Sequence, residues 1–516
     1  MHLSDILQSA AGAELHGDGQ QSISSLTCDS RQAQPGALFF ALRGLTADGH
    51  AFINKAVEAG ASAVVLEDPA YAPVQTPWVR VPDARSAMAY MAATFHGDPT
   101  ARLPLIGITG TNGKTTTTYL IEGILAAANI PAAVLGTISY RFGSTTIDAS
   151  HTTPESTELQ AAFKGLAEVG ARAFVMEVSS HALEQKRVDG CHFDVGIFSN
   201  LTRDHLDYHG TMEDYLAAKL RLFSELLRPD ATKSLRWAVV NMDDAYGAIV
   251  AEHAACQVLT YGISYQGDVR VNDVISSVTG IQGTLVTPKG EIGFSSRLIG
   301  RFNLSNILAA AAAGIALDLP LSAIKAGIEE HSTVPGRVER VANNRGITLL
   351  VDYAHTGDAL QNVLSTVKEL ATRRIITVFG CGGDRDKGKR PIMGRVAAEL
   401  SDLAIVTSDN PRTEDPLTIL EQIRTGIIAP AASHENQEHK FHEYTPEELN
   451  NGFTKKGFII LENRREAIRL AVRLAGPGDI VLLAGKGHEN YQIIGHTKHH
   501  FDDREEAAAA LAELVS

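Results

Sequence analysis

Leu103-Pro-Leu-Ile-Gly-Ile-Thr109, followed directly by Gly110-Thr-Asn-Gly-Lys-Thr-Thr116, is the stretch that decides the fold of this chain. Its first half is an apolar run of the kind that is buried in a parallel sheet. From Thr115 onward, apolar residues recur at helical spacing, at Leu120, Ile121, Ile124, Leu125 and Ala128. A strand, a glycine-rich turn and a helix in this order predict a nucleotide-binding α/β domain.

The glycine-rich turn contains the residue types that bind phosphate. Gly110 and Gly113 let backbone N–H groups turn toward phosphate oxygens, and the following helix adds its positive amino end. Lys114 supplies a mobile cation, and the Thr115 hydroxyl can bind magnesium. The strict pattern has glycine where Ile108 stands, so this loop is a variant. A turn without a ligand is the alternative, which the flanking strand and helix disfavour.

Length and composition limit the class of protein. At 516 residues the chain is too long for a single core, and its length suggests about three domains. It is 44% hydrophobic and 21% charged, which is typical of a globular enzyme. Lys and Arg number 46 against 60 Asp and Glu, so the net charge is 46 − 60 = −14. This charge argues against sequence-independent binding of nucleic acid.

The cysteines and the amino terminus indicate a cellular compartment. Four cysteines lie far apart without a C-x-x-C pair, at Cys28, Cys191, Cys256 and Cys381. Neither a disulfide framework nor a zinc knuckle is therefore predicted. Residues 1–15 lack a basic leader and a continuous apolar run, and no window of about 18 uncharged apolar residues occurs. We expect a cytoplasmic protein in a reducing environment, without membrane insertion.

The order of apolar runs and loops predicts three domains. Residues 1–100 contain short apolar runs separated by Gly, Asp and Pro, which predicts a small mixed α/β domain. Residues 101–333 contain the phosphate loop and further strands, which predicts a doubly wound, P-loop ATPase-like domain. Those strands are expected at 173–178, 195–199 and 237–241.

Residues 334–516 repeat an apolar strand followed by a polar or glycine-rich loop, and predict a Rossmann-like domain. The strands are expected at 347–352, 375–379, 403–407 and 480–483. Ligands gather at the carboxyl ends of such strands. Residues 433–450 are polar, and His434, His439 and His442 could bind a metal. We instead expect a solvated excursion, because no regular ligand spacing supports a metal.

Several motifs resemble those of the Mur ligase family, which makes the peptide stem of peptidoglycan. Gly110-Thr-Asn-Gly-Lys-Thr-Thr116 resembles its ATP loop. Glu177, in Met-Glu-Val-Ser-Ser-His, resembles its magnesium-binding glutamate. His205, in Thr-Arg-Asp-His-Leu-Asp-Tyr-His-Gly, resembles its second metal ligand. Without the resemblance, Glu177 is an ordinary strand-end carboxylate and His205 is one of 19 histidines.

The resemblance implies a modified lysine and a set of ATP contacts. Lys219 aligns with a lysine that takes up carbon dioxide to form a carbamate, which assists Mg²⁺. The implied ligands of this Mg²⁺ are also the Thr115 hydroxyl, Glu177 and His205. The alternative for Lys219 is an ordinary solvated helix lysine. ATP contacts are implied at Gly110, Thr111, Asn112, Gly113, Lys114, Thr115, Thr116, Asn303, Arg337 and Asp352. An interdomain salt bridge is the alternative for Arg337. Gly357 stands where proline is usual after the His-Thr pair, which is a local departure from the family's form.

The resemblance also implies two sites for small-molecule substrates. Contacts with a UDP-linked muramoyl dipeptide are implied at Leu26, Ser30, Leu45, Thr46, Ala47, His151, Thr152, Thr153, Ser179, Gln185 and Arg187. The Leu45-Thr46 pair departs from the family's usual form. Contacts with meso-diaminopimelate are implied at Arg385, Asp409, Asn410, Pro411, Arg412, Gly485 and Glu489.

Charge explains the second set of contacts. Diaminopimelate carries a carboxylate that lysine lacks, and the planar guanidinium of Arg412 can bind it through two parallel hydrogen bonds. Glu489 would then meet the distal ammonium. The alternative for Asp409-Asn-Pro-Arg412 is a tight turn, which Asn-Pro favours.

The activity that the resemblance implies is ATP-dependent addition of meso-diaminopimelate to UDP-N-acetylmuramoyl-L-alanyl-D-glutamate. Lys114, His205 and Lys219 are the expected catalytic residues, with ATP and Mg²⁺ as cofactors and an acyl phosphate as intermediate. Alternatives are the same reaction with L-lysine, a ligase like folylpolyglutamate synthase, and a P-loop ATPase switch that joins nothing. A monomer is expected.

Overall fold

The computed structural model describes residues 1–44, 47–148, 151–330, 333–429 and 441–514. In these residues the strands form a five-stranded, an eight-stranded and a seven-stranded sheet, with a three-stranded and a two-stranded sheet beside them. The three large sheets follow one another along the chain. The predicted domain boundaries near residues 100 and 333 stay predictions.

The amino-terminal sheet is mixed, as the short apolar runs predicted. Its strands are β1 (Glu14–His16), β2 (Ser25–Thr27), β3 (Ala37–Phe40), β4 (Ala63–Leu66) and β5 (Trp78–Arg80). Their order is β1-β5-β4-β3-β2, and β1 is antiparallel to β5 while the other pairs are parallel. The helices here are α1 (Leu3–Leu7), α2 (Ile53–Glu58) and α3 (Ala84–Phe95).

The middle sheet places the phosphate loop at its centre. Its strands are β6 (Leu105–Thr109), β7 (Ala132–Leu135), β8 (Ser139–Phe142), β9 (Thr145–Asp148), β10 (Ala173–Glu177), β11 (Val195–Phe198), β12 (Trp237–Asn241) and β13 (Gln257–Tyr261). The order is β13-β12-β11-β6-β10-β7-β8-β9, with β8 and β9 as an antiparallel edge. Strand β6 begins two residues later than its apolar run. Ile108, which breaks the strict loop pattern, is a buried core residue of β6.

Helices cover this sheet, and the one that begins at Lys114 follows the glycine-rich turn directly. They are α4 (Pro99–Arg102), α5 (Lys114–Ala127), α6 (Ser156–Glu168), α7 (Ser180–Glu184), α8 (Leu206–His209), α9 (Met212–Arg221), α10 (Gly247–His253), α11 (Arg301–Ala316) and α12 (Leu321–Glu330). A meander between α10 and α11 was not predicted. It consists of β14 (Arg270–Ser277), β15 (Gly280–Thr287) and β16 (Gly290–Ser296). Strand β14 is mostly exposed, so it lacks the alternation of apolar and polar residues that marks a half-buried strand.

The carboxyl-terminal sheet is parallel apart from one edge strand. Its strands are β17 (Glu339–Val341), β18 (Thr348–Asp352), β19 (Ile375–Phe379), β20 (Leu403–Val406), β21 (His442–Glu443), β22 (Gly457–Ile460) and β23 (Ile480–Ala484). The order is β17-β18-β23-β19-β20-β22-β21, and only β17 is antiparallel to its neighbour among these described strands. A hairpin of β24 (Tyr491–Ile494) and β25 (Thr497–His500) follows. The helices are α13 (Gly357–Leu370), α14 (Lys389–Leu400), α15 (Pro416–Ile428), α16 (Arg464–Leu474) and α17 (Asp503–Glu513).

Part of the predicted solvated excursion is an edge strand. His442 lies in β21, and its Nε2 is 3.3 Å from a carboxylate oxygen of Glu448. His434 and His439 lie outside the described residues. Within the described ranges, no group of three or more His, Cys, Asp or Glu side chains could hold a metal ion. None of the helices that the structure describes is both long and apolar enough to cross a membrane.

The helix that follows the phosphate loop is held by close packing of backbone against backbone. A Cβ atom built on Gly327 of α12 would lie 2.3 Å from the backbone nitrogen of Ile124 in α5. Ile124 is itself buried in the core. Only glycine therefore allows α12 to approach α5 this closely.

We predict that Gly327→Ala destabilises the protein by about 1–3 kcal/mol, because the added methyl group forces α12 away from α5. Urea unfolding should show a lower midpoint. Gly165→Ala is the matched control, because Gly165 is exposed in α6 and a Cβ atom there would have no neighbour within 4 Å. That control should be neutral or stabilising by up to about 1 kcal/mol. Equal midpoints for the two variants would contradict the packing argument.

Candidate active site

The phosphate loop joins β6 to α5 through two glycines in the left-handed region. The φ angles of Gly110 and Gly113 are 146° and 89°. A Cβ atom on Gly113 would lie 2.3 Å from Oδ1 of Asn306, so α11 packs directly against the loop. Lys114 Nζ donates to the carbonyl oxygens of Gly110 at 2.8 Å and Thr111 at 2.9 Å. Burial lowers the pKa of Lys114 because it disfavours the charged ammonium. A bound phosphate anion would stabilise that charge.

Glu177 is the buried acceptor at the end of β10. Its Oε1 accepts hydrogen bonds from the Thr115 hydroxyl and the Thr137 N–H, each at 3.0 Å. Its Oε2 accepts from the Thr137 hydroxyl, also at 3.0 Å. The side chain of Glu177 is 1% exposed. Sequence reasoning missed Thr137, although it comes just after β7, and parallel β7 and β10 end at one edge of the sheet.

Arg337 reaches the phosphate loop from the carboxyl-terminal sheet. Its Nη2 donates to the Thr115 hydroxyl at 3.1 Å, and its guanidinium lies 4.9 Å from the ring centre of Tyr353. No carboxylate in the described ranges forms an ion pair with Arg337, so the alternative of an interdomain salt bridge is not found there. Asp352 is fixed by two backbone donors, Val338 N at 2.8 Å and Ala354 N at 2.7 Å. Burial raises the pKa of Asp352.

A second contact between the two parts of the chain comes from α13. Asp358 Oδ2 accepts from the Thr202 hydroxyl at 2.7 Å and from Asn112 Nδ2 at 3.4 Å. Asp358 was not predicted. The departure at Gly357 does not disturb the loop, because Thr356 caps α13 and Gly357 begins it. The first helical position is also the one that proline favours.

Asn303 is buried in α11 beside Asn306, which packs against the phosphate loop. It is 1% exposed in the first turn of α11. Its Nδ2 donates to the Ile299 carbonyl at 2.9 Å, and its Oδ1 accepts from Asn306 at 3.1 Å. In the described structure Asn303 therefore contacts the loop through Asn306. Thr116, also predicted to contact ATP, is buried in the first turn of α5.

Lys219 and His205 lie near the phosphate loop and contact aromatic side chains. Lys219 is 1% exposed, and its Nζ lies 4.5 Å from the ring centre of Tyr215. Burial, with the charge of Lys114 as a further cause, lowers the pKa of Lys219 well below its ordinary value. No carboxylate among the described residues pairs with it. A buried lysine in this setting favours the neutral amine, which is the form that reacts with carbon dioxide.

His205 occupies a strained position at the start of α8. Its φ angle is 54°, and its side chain is 46% exposed. The ring centre lies 5.0 Å from that of His181, and Nε2 is 3.5 Å from Asp204. Burial lowers the pKa of His205, so the neutral form that can bind a metal prevails near pH 7. The described hydrogen bonds do not bring His205 and Glu177 into direct contact.

The oxygens at this site fit magnesium. Thr115 and Glu177 present hard oxygen donors beside the amino end of α5, which is the environment that magnesium prefers in nucleotide sites. Lys219, if carbamylated, would add another oxygen donor. His205 would supply a nitrogen donor.

The residues predicted to hold the muramoyl dipeptide lie together beside Glu177. The Thr152 and Thr137 hydroxyls are 3.1 Å apart. The Thr153 hydroxyl donates to the Glu177 carbonyl at 2.8 Å and accepts from Ser179 N at 3.1 Å. The remaining members of this group, Gln185, Arg187 and His151, are neighbours in the same network. Arg187 donates to the Thr153 carbonyl and to Gln185 Oε1, each at 2.8 Å, and the His151 carbonyl accepts from Tyr140 at 2.9 Å.

A cavity of about 460 Å³ lies between the amino-terminal sheet and α6. Leu26, predicted to contact the uridine nucleotide, lines it from β2, and Thr157 and Glu158 line it from α6. Ser30 is buried nearby in sequence but does not line the cavity. Ala47 is exposed. Leu45 and Thr46 lie outside the described residues.

Arg412 is held at the carboxyl edge of the third sheet by its backbone and by its side chain. Its N–H donates to the Ile493 carbonyl at 3.1 Å, and its Nη1 donates to the Gly383 carbonyl at 2.8 Å. A Cβ atom on Gly382 would lie 2.9 Å from Nη1, so the glycine pair makes room for the guanidinium. Arg385 lies exposed on the same glycine-rich loop.

The remaining residues predicted for the amino-acid site form a buried cluster. Asn410 Nδ2 donates to Glu489 Oε2 at 2.9 Å. Lys486, which was not predicted, places Nζ at 3.3 Å from Asp409 Oδ1 and 3.5 Å from Glu489 Oε2. Gly485 and Pro411 lie within the same two loops, and both are buried. Lys486 lies directly after Gly485 in the stretch Gly485-Lys-Gly-His-Glu489, so its position between two predicted residues was a signal for it.

One backbone contact joins the Arg337 side of this sheet to the Glu489 side. A Cβ atom on Gly336 would lie 2.1 Å from the backbone nitrogen of His488. A Cβ atom on Gly487 would lie 2.6 Å from Cβ of Tyr353. Both glycines have positive φ angles, 65° and 53°. The loops that present Arg337 and Glu489 are therefore in direct backbone contact.

Comparison with known proteins covers nearly the whole chain. Three family models match: the catalytic domain of the Mur ligase family over residues 22–96, the Mur ligase middle domain over 108–314, and the Mur ligase glutamate ligase domain over 336–487. UDP-N-acetylmuramoyl-L-alanyl-D-glutamate--2,6-diaminopimelate ligases are among the relatives. The one from Geobacter metallireducens is 60% identical and covers 100% of this chain and 99% of its own length.

Other relatives carry the same name. The enzyme from Geobacillus kaustophilus is 44% identical over 99% of this chain and 100% of its own length. A solved structure of UDP-N-acetylmuramoyl-L-alanyl-D-glutamate--2,6-diaminopimelate ligase superposes with a TM-score of 0.69 at 34% identity. It covers 100% of this chain and 99% of the solved chain.

Proposed function

The chain belongs to the Mur ligase family, and from that premise we propose that it adds meso-diaminopimelate to UDP-N-acetylmuramoyl-L-alanyl-D-glutamate. It is an ATP-dependent ligase that forms an amide bond. One observation supports the amino-acid assignment most directly. The two loops at the carboxyl edge of the third sheet carry Arg412, whose Nη1 donates to the Gly383 carbonyl, and Glu489, which accepts from Asn410, two residues before Arg412. A diamino dicarboxylate offers the complementary charges.

The proposed reaction has two steps. A glutamyl carboxylate oxygen attacks the γ-phosphorus of ATP, the bond to the bridging β–γ oxygen breaks, and an acyl phosphate and ADP form. The amine nitrogen of diaminopimelate then attacks the acyl carbon, phosphate leaves, and the nitrogen loses a proton. Lys114 and Arg337 place positive charge beside Thr115, where charge develops on the transferred phosphoryl group.

Magnesium would supply charge neutralisation between the phosphate oxygens. Thr115 and Glu177 would hold it through oxygen, with His205 and the carbamate of Lys219 as further ligands. Thr137 orients the carboxylate of Glu177 through two hydrogen bonds. The dipeptide residues adjoin Glu177 through Thr153, so the acceptor carboxyl group would lie near the γ-phosphate.

We also propose domain roles, a cellular location and an oligomeric state for the enzyme. The three domains would be 1–100 for the uridine nucleotide, 101–333 for ATP and 334–516 for the amino acid. The cavity lined by Leu26 would take the uridine end of the substrate. A cytoplasmic location is proposed because the reaction consumes ATP. A monomer is proposed because one chain supplies every predicted site residue, and light scattering during gel filtration tests this oligomeric state.

Phosphate release that depends on the amine tests the function. With ATP, the UDP-linked dipeptide and meso-diaminopimelate, we expect ADP, phosphate and amide in equal amounts, and L-lysine should be a poor substitute. ADP formation that is the same with and without the amine and the UDP-linked dipeptide would refute a ligase in favour of an ATPase switch. Faster turnover with lysine would reassign the amino acid, and glutamate addition to a folate would indicate the folylpolyglutamate alternative.

Arg412→Met should raise the KM for diaminopimelate by about 10-fold to 100-fold, because a bidentate charge-assisted hydrogen bond to the second carboxylate is lost. The KM for lysine should change little. Initial rates with both amino acids measure this. Arg395→Met is the matched control, since Arg395 is exposed on α14 away from the site. An equal rise in both KM values would show that Arg412 does not read the second carboxylate.

Lys219→Arg should lower kcat by about 100-fold, because arginine keeps the positive charge and forms no carbamate at neutral pH. Wild-type protein prepared with ¹³C-bicarbonate should show a carbamate carbon signal by NMR, and the variant should not. Full activity of Lys219→Arg would exclude a role for the carbamate.

A further inference from the structure

We propose that Lys486 is a positioning residue that lies between Asp409 and Glu489, contacts both carboxylates and thereby holds Glu489 as the carboxylate that meets the distal ammonium of the amino-acid substrate. This inference rests on the proposed function, and it adds a residue that acts through Glu489.

The first support is the burial of the lysine. Lys486 is 0% exposed, and three oxygens surround its Nζ: Asn410 Oδ1 at 3.2 Å, Asp409 Oδ1 at 3.3 Å and Glu489 Oε2 at 3.5 Å. An ammonium so far from water needs anionic or polar partners. The same oxygens fix its position, so the lysine cannot leave to serve as a surface charge.

The second support is the set of hydrogen bonds that the Asn410 side chain forms. Its Oδ1 accepts from Lys486 and from Ile493 N, the latter at 2.9 Å, while its Nδ2 donates to Glu489 at 2.9 Å. The amide therefore has a fixed orientation and connects the lysine to the carboxylate. Asn410 and Lys486 both bond to Oε2 of Glu489, and the Tyr491 side chain also hydrogen-bonds to this carboxylate.

The third support is a charge count. Asp409 and Glu489 contribute two negative charges and Lys486 one positive charge, so the cluster carries −2 + 1 = −1. The next cation, Arg464, is bound by Asp503 through two hydrogen bonds of 2.8 Å and 2.6 Å. One buried carboxylate is thus left without a full counter-charge, and a substrate ammonium would supply it.

The groups facing Glu489 determine how it titrates. Asp409 raises its pKa together with burial, whereas Lys486 and Asn410 lower it. Tyr353 and Tyr491 face it from other elements, Arg464 interacts with it electrostatically, and Arg337 and Arg412 add positive charge near the two tyrosines. Removing Lys486 should raise the pKa of Glu489, so that a smaller fraction of the carboxyl group is ionised at pH 7 and a larger fraction ionises as the pH rises.

Lys486→Met tests the proposal, with KM for diaminopimelate measured from pH 7 to pH 9.5. We expect the KM to be about 10-fold or more above wild type at pH 7. The ratio should fall toward 1 as the pH rises to 9.5, because a larger fraction of Glu489 is then ionised. The KM values for ATP and for the UDP-linked dipeptide should stay within about 2-fold of wild type, which a general loss of structure would not allow.

Lys498→Met is the matched control. Lys498 also adjoins Tyr491, with Nζ 4.3 Å from the ring centre, but it is exposed on β25. Its KM for diaminopimelate should match wild type at every pH. If Lys486→Met raises all three KM values equally, or shows no recovery at high pH, the proposal is wrong.

Asp409→Asn keeps the test decisive if Lys486→Met does not fold. Without Asp409, the ammonium of Lys486 pairs with Glu489 and competes with the substrate, so the KM for diaminopimelate should rise without recovery at high pH. An unchanged KM would overturn the proposal. Wild-type enzyme that releases no phosphate in response to diaminopimelate would instead refute the proposed function, so the two failures are distinguishable.

Discussion

The hydroxyl group of Thr115 is the contact on which the arrangement of the site depends. It donates to Glu177 within the middle sheet and accepts from Arg337 of the carboxyl-terminal sheet. A single oxygen at the amino end of α5 thus fixes a buried carboxylate and an arginine from sequence-distant elements. Any displacement of α5 would move both partners, which is why the close packing of Gly327 against Ile124 matters for the chemistry as well as for stability.

Much of this could be predicted because it is encoded locally. The run before Gly110 and the helical spacing after Thr115 predict β6 and α5, and strand-end positions predict where Glu177 and Asp409 lie. Open parallel sheets place the ends of their strands at one edge, so residues far apart in sequence could be assigned to one site. The family resemblance added the roles of His205 and Lys219, which their local sequence does not show.

What could not be predicted depends on contacts between distant segments. Asp358 contacts Asn112 only because α13 packs against the loop, and the cavity beside Leu26 is completed by residues of α6. Strand β14 of the meander is mostly exposed and lacks the alternation of a half-buried strand, so its sequence gave no strand signal. Lys486 was visible in its motif, but its burial between two carboxylates depends on the fold.

The backbone contact between Gly336 and Gly487 has a consequence for how such a ligase can change its substrate. Because no side chain fits between the two loops, neither loop can shift without moving the other, and nucleotide handling and amine capture are mechanically linked. A new amino-acid preference must therefore arise by exchanging side chains, at positions such as Arg412, while the main chain of the two loops keeps its path. At this edge of the sheet the close backbone contact leaves no room for added bulk between the loops, so side-chain exchange outside that contact is the route left for new specificity.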